Sequence, residues 1–440
     1  MSRLLRALER HWFAPASLRD LGVVRAVVFG AMLLVFYPEW DLTALMTRSP
    51  AELYKPLPML KLFLLPLGWG ARPPAELVFG VWYLGLGACL LAALGLWTRW
   101  SGLAAFLAVV FLTAHNYSFG EMHHTEALVV MAMGLLALGP SGRAFSLDAV
   151  RRRRRETRER GRFVPLDPAD DVSADAYWPL QAVRWMFGIV YLSAGASKLL
   201  YGGLEWMNGH TLAFYFAADG ARWNMDIALW LAQFPRILAP MSAGAVLLEA
   251  TFFLAILFPR LTRPYVFGGL ALHASAWLIQ HAYFLPYFCA YAVFVDPVRR
   301  NPIFGPARPL PEPPPLAERW AVLFDGLCPL CMRSMATLEQ LDGRGRLRYV
   351  DIERDWATAS ALAPEVTHEA AVERMHVVAP DGRIFRGFHA VRALAVRLPA
   401  AWIAVPFLYL PGAAWLGTRA YDALARRRLR VTCRVDTCAV

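Results

Sequence analysis

Charged residues are scarce in this sequence, and hydrophobic residues are correspondingly abundant. Asp, Glu, Lys and Arg make up 18% of the 440 residues, whereas a soluble domain carries about 25%. Hydrophobic residues reach 57%, and most of the apolar excess lies between residues 20 and 296. This composition excludes a wholly soluble enzyme and a disordered chain. It predicts a polytopic membrane protein with a soluble C-terminal part.

Cysteine is also rare, with six residues in the chain. That number is too small for the disulfide framework of a small secreted domain. Cys89 and Cys289 fall within apolar segments, and we interpret them as packing residues. The remaining four lie in the C-terminal part: Cys328, Cys331, Cys433 and Cys438.

Eight apolar segments predict about eight membrane-spanning helices, since a span needs about 20 mostly apolar residues. The segments lie near residues 20–38, 75–97, 99–117, 123–140, 178–200, 240–258, 263–280 and 281–296. The predicted fold class is therefore a polytopic α-helical membrane bundle, followed by a C-terminal α/β domain.

Arginines concentrate in alternate connections between these segments, most densely at residues 151–155. Basic connections stay in the cytoplasm, so we expect the C-terminal domain there as well. The pattern is typical of a multi-pass protein of a bacterial-type inner membrane, in contact with lipid. A basic run between apolar segments more often signals topology than nucleic-acid binding, and we expect no nucleic-acid partner.

A proline-rich stretch at residues 302–315 can form neither a helix nor a sheet, and it is typical of a stiff linker. We predict a transmembrane domain at 1–300, a linker at 301–318 and a soluble domain at 319–440.

Four ionisable residues lie inside apolar segments, where their cost marks them as functional candidates: Arg184, Lys198, Glu249 and His273. Glu249 could neutralise Arg184 across helices as a structural ion pair. Lys198 follows a run of small residues that lets another helix or a flat ligand approach closely. A lysine partly removed from water suits a general base, whereas snorkelling to the interface is its structural alternative.

The run YLSAGASKL at 191–199, followed by Trp206 and Gly209, looks like the active-site helix of vitamin K-dependent γ-glutamyl carboxylase. His123-His124-Thr125-Glu126, Ser146-Leu147-Asp148 and the surroundings of His273 resemble other parts of that family. Its bacterial relatives form the horizontally transferred transmembrane (HTTM) family, and the resemblance covers residues 12–298.

This resemblance implies a quinone or hydroquinone cofactor similar to vitamin K. Lys198 would be the base that deprotonates the hydroquinone. His124 and His273 would orient the quinone or stabilise a developing oxyanion, and Arg184 and Glu249 match charged positions of the family.

The soluble part begins with an apolar run at Trp320–Phe324 that suits a buried strand. An Asp-Gly turn signal follows, then Cys328-Pro329-Leu330-Cys331 and a helical pattern over 332–341. Cys328 would lie at a helix N-terminus, which stabilises a thiolate and makes this cysteine the nucleophile. Cys331, one turn later, could close the disulfide.

The rest of the soluble part predicts a thioredoxin-like order of strand, helix, strand, hairpin and helix. A second strand is expected at Leu347–Asp351 and a hairpin at 375–378 and 383–385, with helices near 388–398 and 415–427. A zinc site would need a second cysteine pair. Cys433 and Cys438 have the wrong spacing for one and could instead form a second dithiol, so we expect no metal.

The same part resembles the DCC family of thiol-disulfide oxidoreductases. The resemblance rests on Asp325, the Cys328–Cys331 motif, Asp381-Gly382-Arg383, Gly387-Phe388-His389-Ala390 and the arginine-rich last helix. It implies that Cys328 and Cys331 exchange disulfides with an unknown protein or peptide. Together with the HTTM resemblance, it predicts a membrane-bound oxidoreductase with a quinone-binding membrane domain. The alternatives are a carboxylase-like peptide-modifying enzyme with an accessory thiol domain, and a non-catalytic membrane scaffold.

Overall fold

The computed structural model describes residues 3–36, 39–67, 72–120, 127–294, 312–343 and 345–432. The chain divides into two compact units. The first comprises Met1–Arg143 and Val172–Leu310, and the second comprises Ala144–Asp171 and Pro311–Val440. The second unit thus contains a segment from the middle of the chain, which the sequence prediction had assigned to the first domain.

The first unit is helical. Up to residue 138 it contains α1 (Arg3–Phe13), α2 (Leu18–Phe36), α3 (Glu39–Arg48), α4 (Pro58–Leu64), α5 (Ala75–Leu94), α6 (Thr98–Tyr117) and α7 (Ala127–Leu138). The next helix, α8 (Leu147–Arg160), belongs to the second unit. The first unit then resumes with α9 (Tyr177–Gly202), α10 (His210–Trp223), α11 (Asp226–Leu231), α12 (Pro235–Thr251), α13 (Leu254–Leu257), α14 (Thr262–Gln280) and α15 (Leu285–Ala290). Two short strands, β1 (Ala16–Ser17) and β2 (Val172–Ser173), pair antiparallel.

Two helices of the described residues, α5 and α6, are long and apolar enough to cross a membrane. A bent pair of helical segments, Pro399–Leu408 with Ala413–Arg426, would be a third if it counts as one span. The prediction of about eight spans was therefore wrong for the described part of the chain.

Charges and helix breaks explain the difference. The 19 residues of α2 include Arg19, Asp20 and Arg25, and α7 has only 12 residues. The segment predicted as one span at 240–258 is divided between α12 and α13. A segment can be apolar on average and still contain a charge or a helix break. A membrane span, however, needs about 20 uninterrupted helical residues, so these segments do not qualify.

The second unit is built on a four-stranded sheet with the order β4-β3-β5-β6. Strand β3 (Trp320–Phe324) is parallel to β4 (Leu347–Asp351) and antiparallel to β5 (His376–Val378), which pairs with β6 (Ile384–Arg386). The helices of the unit, besides α8, are α16 (Pro329–Leu341), α17 (Trp356–Leu362), α18 (His368–Glu373), α19 (Phe388–Arg397), α20 (Val405–Leu408) and α21 (Ala413–Thr432). This order contains the predicted one of strand, helix, strand, hairpin and helix, and it adds α17 and α18, which were not predicted, between β4 and the hairpin.

Alternation along β3 divides the interior of this unit into two layers, because successive strand residues face opposite sides of a sheet. Val322 and Phe324 pack with Met335 of α16 and Leu394 of α19. On the other face Ala321 and Leu323 belong to a separate cluster with residues of α17 and α18. The parallel β3-α16-β4 unit thereby places the N-terminus of α16 at the carboxyl ends of two neighbouring strands.

The middle segment 144–171 completes the first of these layers. Phe163 contacts the rings of Phe324 and Tyr349 edge to face. On α8, the Arg153 guanidinium is buried, and its Nε donates to Glu339 Oε2 of α16 at 2.9 Å. The basic run that we interpreted as a topology signal is therefore also a helix that packs against α16.

The Arg153–Glu339 pair gives a first prediction. Arg153→Leu should destabilise the second unit by about 3–5 kcal/mol, since it leaves Glu339 buried without its counter-charge. Chemical denaturation of the full chain in detergent would measure the loss. Arg155→Ala is the matched control, because the exposed Arg155–Glu159 pair on the same helix is screened by solvent and should contribute little to stability. Equal stabilities for the two variants would contradict the structural role of the buried pair.

Candidate functional site

Cys328 occupies the N-cap of α16, immediately after the turn that follows β3. Its backbone is extended, its Sγ accepts a hydrogen bond from the Cys331 N–H at 3.5 Å, and Pro329 starts the helix. Proline suits this place because its missing N–H would have no partner within the helix. The first turn of α16 therefore directs the backbone N–H of Cys331 at the Cys328 sulfur, and Cys328 lies at the helix N-terminus as predicted from sequence.

Asp325 holds the turn between β3 and α16. Its buried carboxylate accepts hydrogen bonds through Oδ1 from the Leu327 N–H at 2.9 Å and the Cys328 N–H at 3.1 Å. Gly326 is required between them, because an added Cβ would strike the Asp351 carboxylate. Asp351 ends β4 opposite Phe324, and its approach to the turn was missed from sequence. The signal was present, since the carboxyl ends of parallel strands meet at one edge.

Three donor atoms converge at this position, one each from Asp325, Cys328 and Cys331, and all lie within 4.8 Å of one another. Both cysteines are reduced thiols; Cys328 is buried and Cys331 is half-buried. The exposed side chain of Leu327 lies beside them in the sequence and offers an apolar surface to a substrate. A dithiol and a carboxylate in contact range are the groups that disulfide exchange with proton transfer requires.

The same three groups are one ligand short of the four that a structural zinc ion takes. In addition, Asp325 Oδ1 already accepts two backbone hydrogen bonds. The expectation of no metal remains a prediction. Cys433 and Cys438, named above as a possible second dithiol, lie outside the described residues.

In the first unit, Glu249 forms an ion pair with Lys198 and not, as expected, with Arg184. Lys198 Nζ donates to Glu249 Oε2 at 2.6 Å and lies 5.3 Å from the centre of the Trp206 ring. Arg184 is buried and donates to the carbonyl of Val293 at 3.1 Å. The expected Arg184–Glu249 ion pair was therefore wrong.

The small residues before Lys198 explain the new pairing. A Cβ at Gly195 would lie 2.5 Å from the backbone nitrogen of Ala250. Glycine thus lets α9 and α12 approach closely, which brings Lys198 within reach of Glu249. The small residues before Lys198 were expected to let either another helix or a flat ligand approach closely, and in the structure it is a helix, α12, that packs there.

His273 of α14 belongs to a buried aromatic cluster. Its Nε2 lies 3.0 Å from the Tyr191 hydroxyl, which is also hydrogen-bonded to the Tyr291 hydroxyl. Tyr191 lies seven residues before Lys198 on α9, hence about two turns away on the same face. The sequence motif included Tyr191 without assigning it a role. His124, the other predicted quinone ligand, lies outside the described residues.

The first unit also has an open apolar groove of about 790 Å³. Its lining includes Trp12, Phe106 and Met131, and it contains none of the residues predicted to bind a quinone. The groove and the polar residues of α9, α12 and α14 are therefore separate features.

Comparison with known proteins identifies the second unit. Residues 322–434 match the model of the DCC1-like thiol-disulfide oxidoreductase family. The chain is also 29% identical over 139 residues to an uncharacterized chloroplast protein of Arabidopsis thaliana. That similarity covers 30% of this chain and 62% of the plant protein. No solved structure matches the chain. The resemblance of the first unit to γ-glutamyl carboxylase remains a prediction.

The Asp325 turn gives the second prediction. Asp325→Asn should keep the stability within about 1 kcal/mol, because the amide oxygen can still accept both backbone hydrogen bonds. Asp325→Ala should cost about 1–3 kcal/mol, since two N–H groups lose their acceptor. Denaturant unfolding of the two variants measures the difference. A stable Asp325→Ala protein would show that the carboxylate does not hold the turn.

Proposed function

We propose that this protein, whose residues 322–434 form a DCC1-like thiol-disulfide oxidoreductase domain, exchanges disulfides with a protein or peptide substrate at a membrane. One observation carries the proposal. The Cys328 and Cys331 thiols lie one helical turn apart at the N-terminus of α16, with the Asp325 carboxylate within 4.8 Å of both donor atoms.

The first step is attack by Cys328 as a thiolate on a disulfide of the substrate. Cys328 gives its proton to water when the thiolate forms. A bond then forms between Cys328 Sγ and one substrate sulfur, while the substrate disulfide breaks and its other sulfur leaves as a thiolate that takes up a proton from water. The N-terminus of α16 favours negative charge at this position. Because Cys328 is buried, the substrate must displace its cover, and the exposed Leu327 beside it offers the contact.

The second step resolves the mixed disulfide. Cys331 gives its proton to the Asp325 carboxylate and attacks Cys328 Sγ, which releases the second substrate sulfur as a thiolate. That thiolate takes the proton back from Asp325 or from water. The substrate gains two electrons and two protons, and the enzyme is left with a Cys328–Cys331 disulfide. The reverse sequence oxidises a dithiol substrate.

Trapping of the intermediate is the third prediction. With 5,5′-dithiobis(2-nitrobenzoate) as the disulfide, Cys331→Ser should accumulate a stable mixed disulfide on Cys328, seen as added mass. In Cys328→Ser the remaining Cys331 thiol should form its mixed disulfide much more slowly than Cys328 does in Cys331→Ser, because Cys331 lacks the N-cap position that stabilises a thiolate. Both variants should lose at least about 100-fold in reductase turnover. Cys89→Ser is the control for a buried cysteine outside the motif and should retain turnover. A mixed disulfide that forms on Cys331 alone would reverse the assigned roles.

The location that we propose is a bacterial-type inner membrane, with the second unit in the cytoplasm. Support comes from the apolar helices α5 and α6 and from the arginines of α8, since basic connections remain on the cytoplasmic side. Because Ala144–Asp171 and Pro311–Val440 form one compact unit, both segments must lie on the same face of the membrane.

A second candidate function is quinone chemistry in the first unit. In one form of it, the protein is a carboxylase-like enzyme that modifies a peptide. The alternative without catalysis is a membrane scaffold. The observation that favours quinone chemistry is the concentration of buried polar groups on α9, α12 and α14. Lys198, which pairs with Glu249, could contact a quinone oxygen, and the Tyr191–His273 pair could donate a hydrogen bond to one. A bound quinone would supply two-electron redox chemistry.

Lys198→Arg gives the fourth prediction. Arginine keeps the positive charge beside Glu249, but it cannot act as a base. If Lys198 is a base, Lys198→Arg and Lys198→Ala should both abolish the acceleration, by the purified full chain, of naphthohydroquinone oxidation by dissolved oxygen. Quinone binding, followed by quenching of tryptophan fluorescence near Trp206, should survive in Lys198→Arg alone. Unchanged oxidation in Lys198→Arg would leave the lysine a structural partner of Glu249.

A further inference from the structure

The last part of the second unit carries an unusually apolar exposed surface. After α19 the chain forms a 3₁₀ helix at Pro399–Ala404, then α20, a turn at 409–412 and α21. We call residues 399–416 the apolar hairpin. Its exposed side chains, with the exposed fraction of each, are Trp402 (57%), Ile403 (83%), Phe407 (69%), Leu410 (57%), Trp415 (61%) and Leu416 (63%). So many large exposed apolar side chains within 18 residues indicate an interaction site.

We propose that the apolar hairpin inserts part of the way into one leaflet of a lipid bilayer and leaves it on the same side. The chain direction changes by 110° between Pro399–Leu408 and Ala413–Arg426. Ten helical residues are about 15–18 Å long, roughly half of a hydrocarbon core of about 30 Å. The first arm is therefore too short to cross a bilayer and long enough to enter one leaflet.

The base of the hairpin is fixed to the second unit, so the exposed tip is a defined structure. Gly417 allows α21 to pack directly on the Phe388 ring, which an added Cβ would strike. One turn later the Tyr421 hydroxyl accepts a hydrogen bond from the Met375 N–H at 2.9 Å. Asp422 pairs with Arg374 at 3.2 Å. These contacts hold the base, and the apolar side chains lie beyond it.

The polar groups of the hairpin are arranged for a bilayer interface. The Trp402 indole donates to the Val396 carbonyl at 2.9 Å, so its ring can enter an apolar phase without losing a hydrogen bond. Arg392 lies 3.9 Å from the Tyr409 ring and Arg419 lies 3.8 Å from the Trp415 ring. Cations beside interfacial aromatic rings suit the headgroup level. The exposed Arg426 on the same helix adds a positive charge that complements anionic lipid.

These features favour lipid over a protein occupant. The tip concentrates aromatic and aliphatic side chains, and its flanks carry positive charge, which is the pattern of helices that lie in a membrane interface. The same chain has helices apolar enough to span a bilayer, and a chain anchored in this way would keep the apolar hairpin close to lipid. The inference does not depend on the thiol chemistry proposed above.

A depth measurement on the full chain tests the insertion, and it is the fifth prediction. In a background with all six cysteines replaced by serine, Leu410→Cys receives an environment-sensitive fluorophore, and the protein is reconstituted in vesicles containing anionic lipid. Lipids with nitroxides in their acyl chains should quench most of its emission, which should also shift to shorter wavelength. Leu316→Cys is the matched control, because Leu316 is also 57% exposed and lies outside the hairpin; its probe should be quenched little.

Ile403→Cys provides a second reporter in the same background, so that a folding defect at one position does not decide the outcome. Emission typical of water at both hairpin positions, without quenching, would overturn the proposal. Emission at short wavelength without quenching by the acyl-chain nitroxides would also overturn it, since protein, either the first unit or a second copy, would then cover the hairpin. Because the background lacks every cysteine, neither result bears on disulfide exchange.

Discussion

The buried ion pair between Arg153 and Glu339 is the contact on which the second unit depends. It joins residues that are 186 positions apart in sequence. The desolvation cost of such a pair is offset only when the remaining polar atoms are satisfied, and here they are. Glu339 also accepts from the Leu166 N–H at 2.7 Å, and Arg153 also donates to Glu156 and to the Val164 carbonyl. The pair thereby fixes one end of α16, whose other end carries the two cysteines.

The chemistry at that other end follows from backbone geometry. A helix that starts at Pro329 must leave its first N–H groups without partners inside the helix, and Cys328 lies where they point. Asp325 holds the preceding turn through the same kind of interaction, with a carboxylate that accepts two backbone N–H groups. In the mechanism proposed above, one short segment would thus supply the nucleophile, the resolving thiol and the proton acceptor without a long-range side-chain network.

In the first unit, ionisable groups inside helices are satisfied by nearby partners. Lys198 pairs with Glu249 across α9 and α12, and Arg184 and Arg25 donate to backbone carbonyls. Such pairing lowers the free-energy cost of burying each charge. The charged residues themselves interrupt the apolar segments that composition had indicated as spans. The scarcity of charge in the sequence therefore predicted helices that are apolar enough to span a membrane, but it overestimated their number.

The sequence by itself determined the features that depend on neighbouring residues. These are the strand before Asp325, the helix start at Cys328 and the order of strands and helices that follows, because turn chemistry and strand or helix periodicity act over a few residues. Only the tertiary structure decided that α8 belongs with α16, that Glu249 binds Lys198, and that the hairpin after α19 remains uncovered. Each of these is a choice among distant partners with similar local patterns. Packing and the desolvation of charges make that choice only when the whole chain is folded.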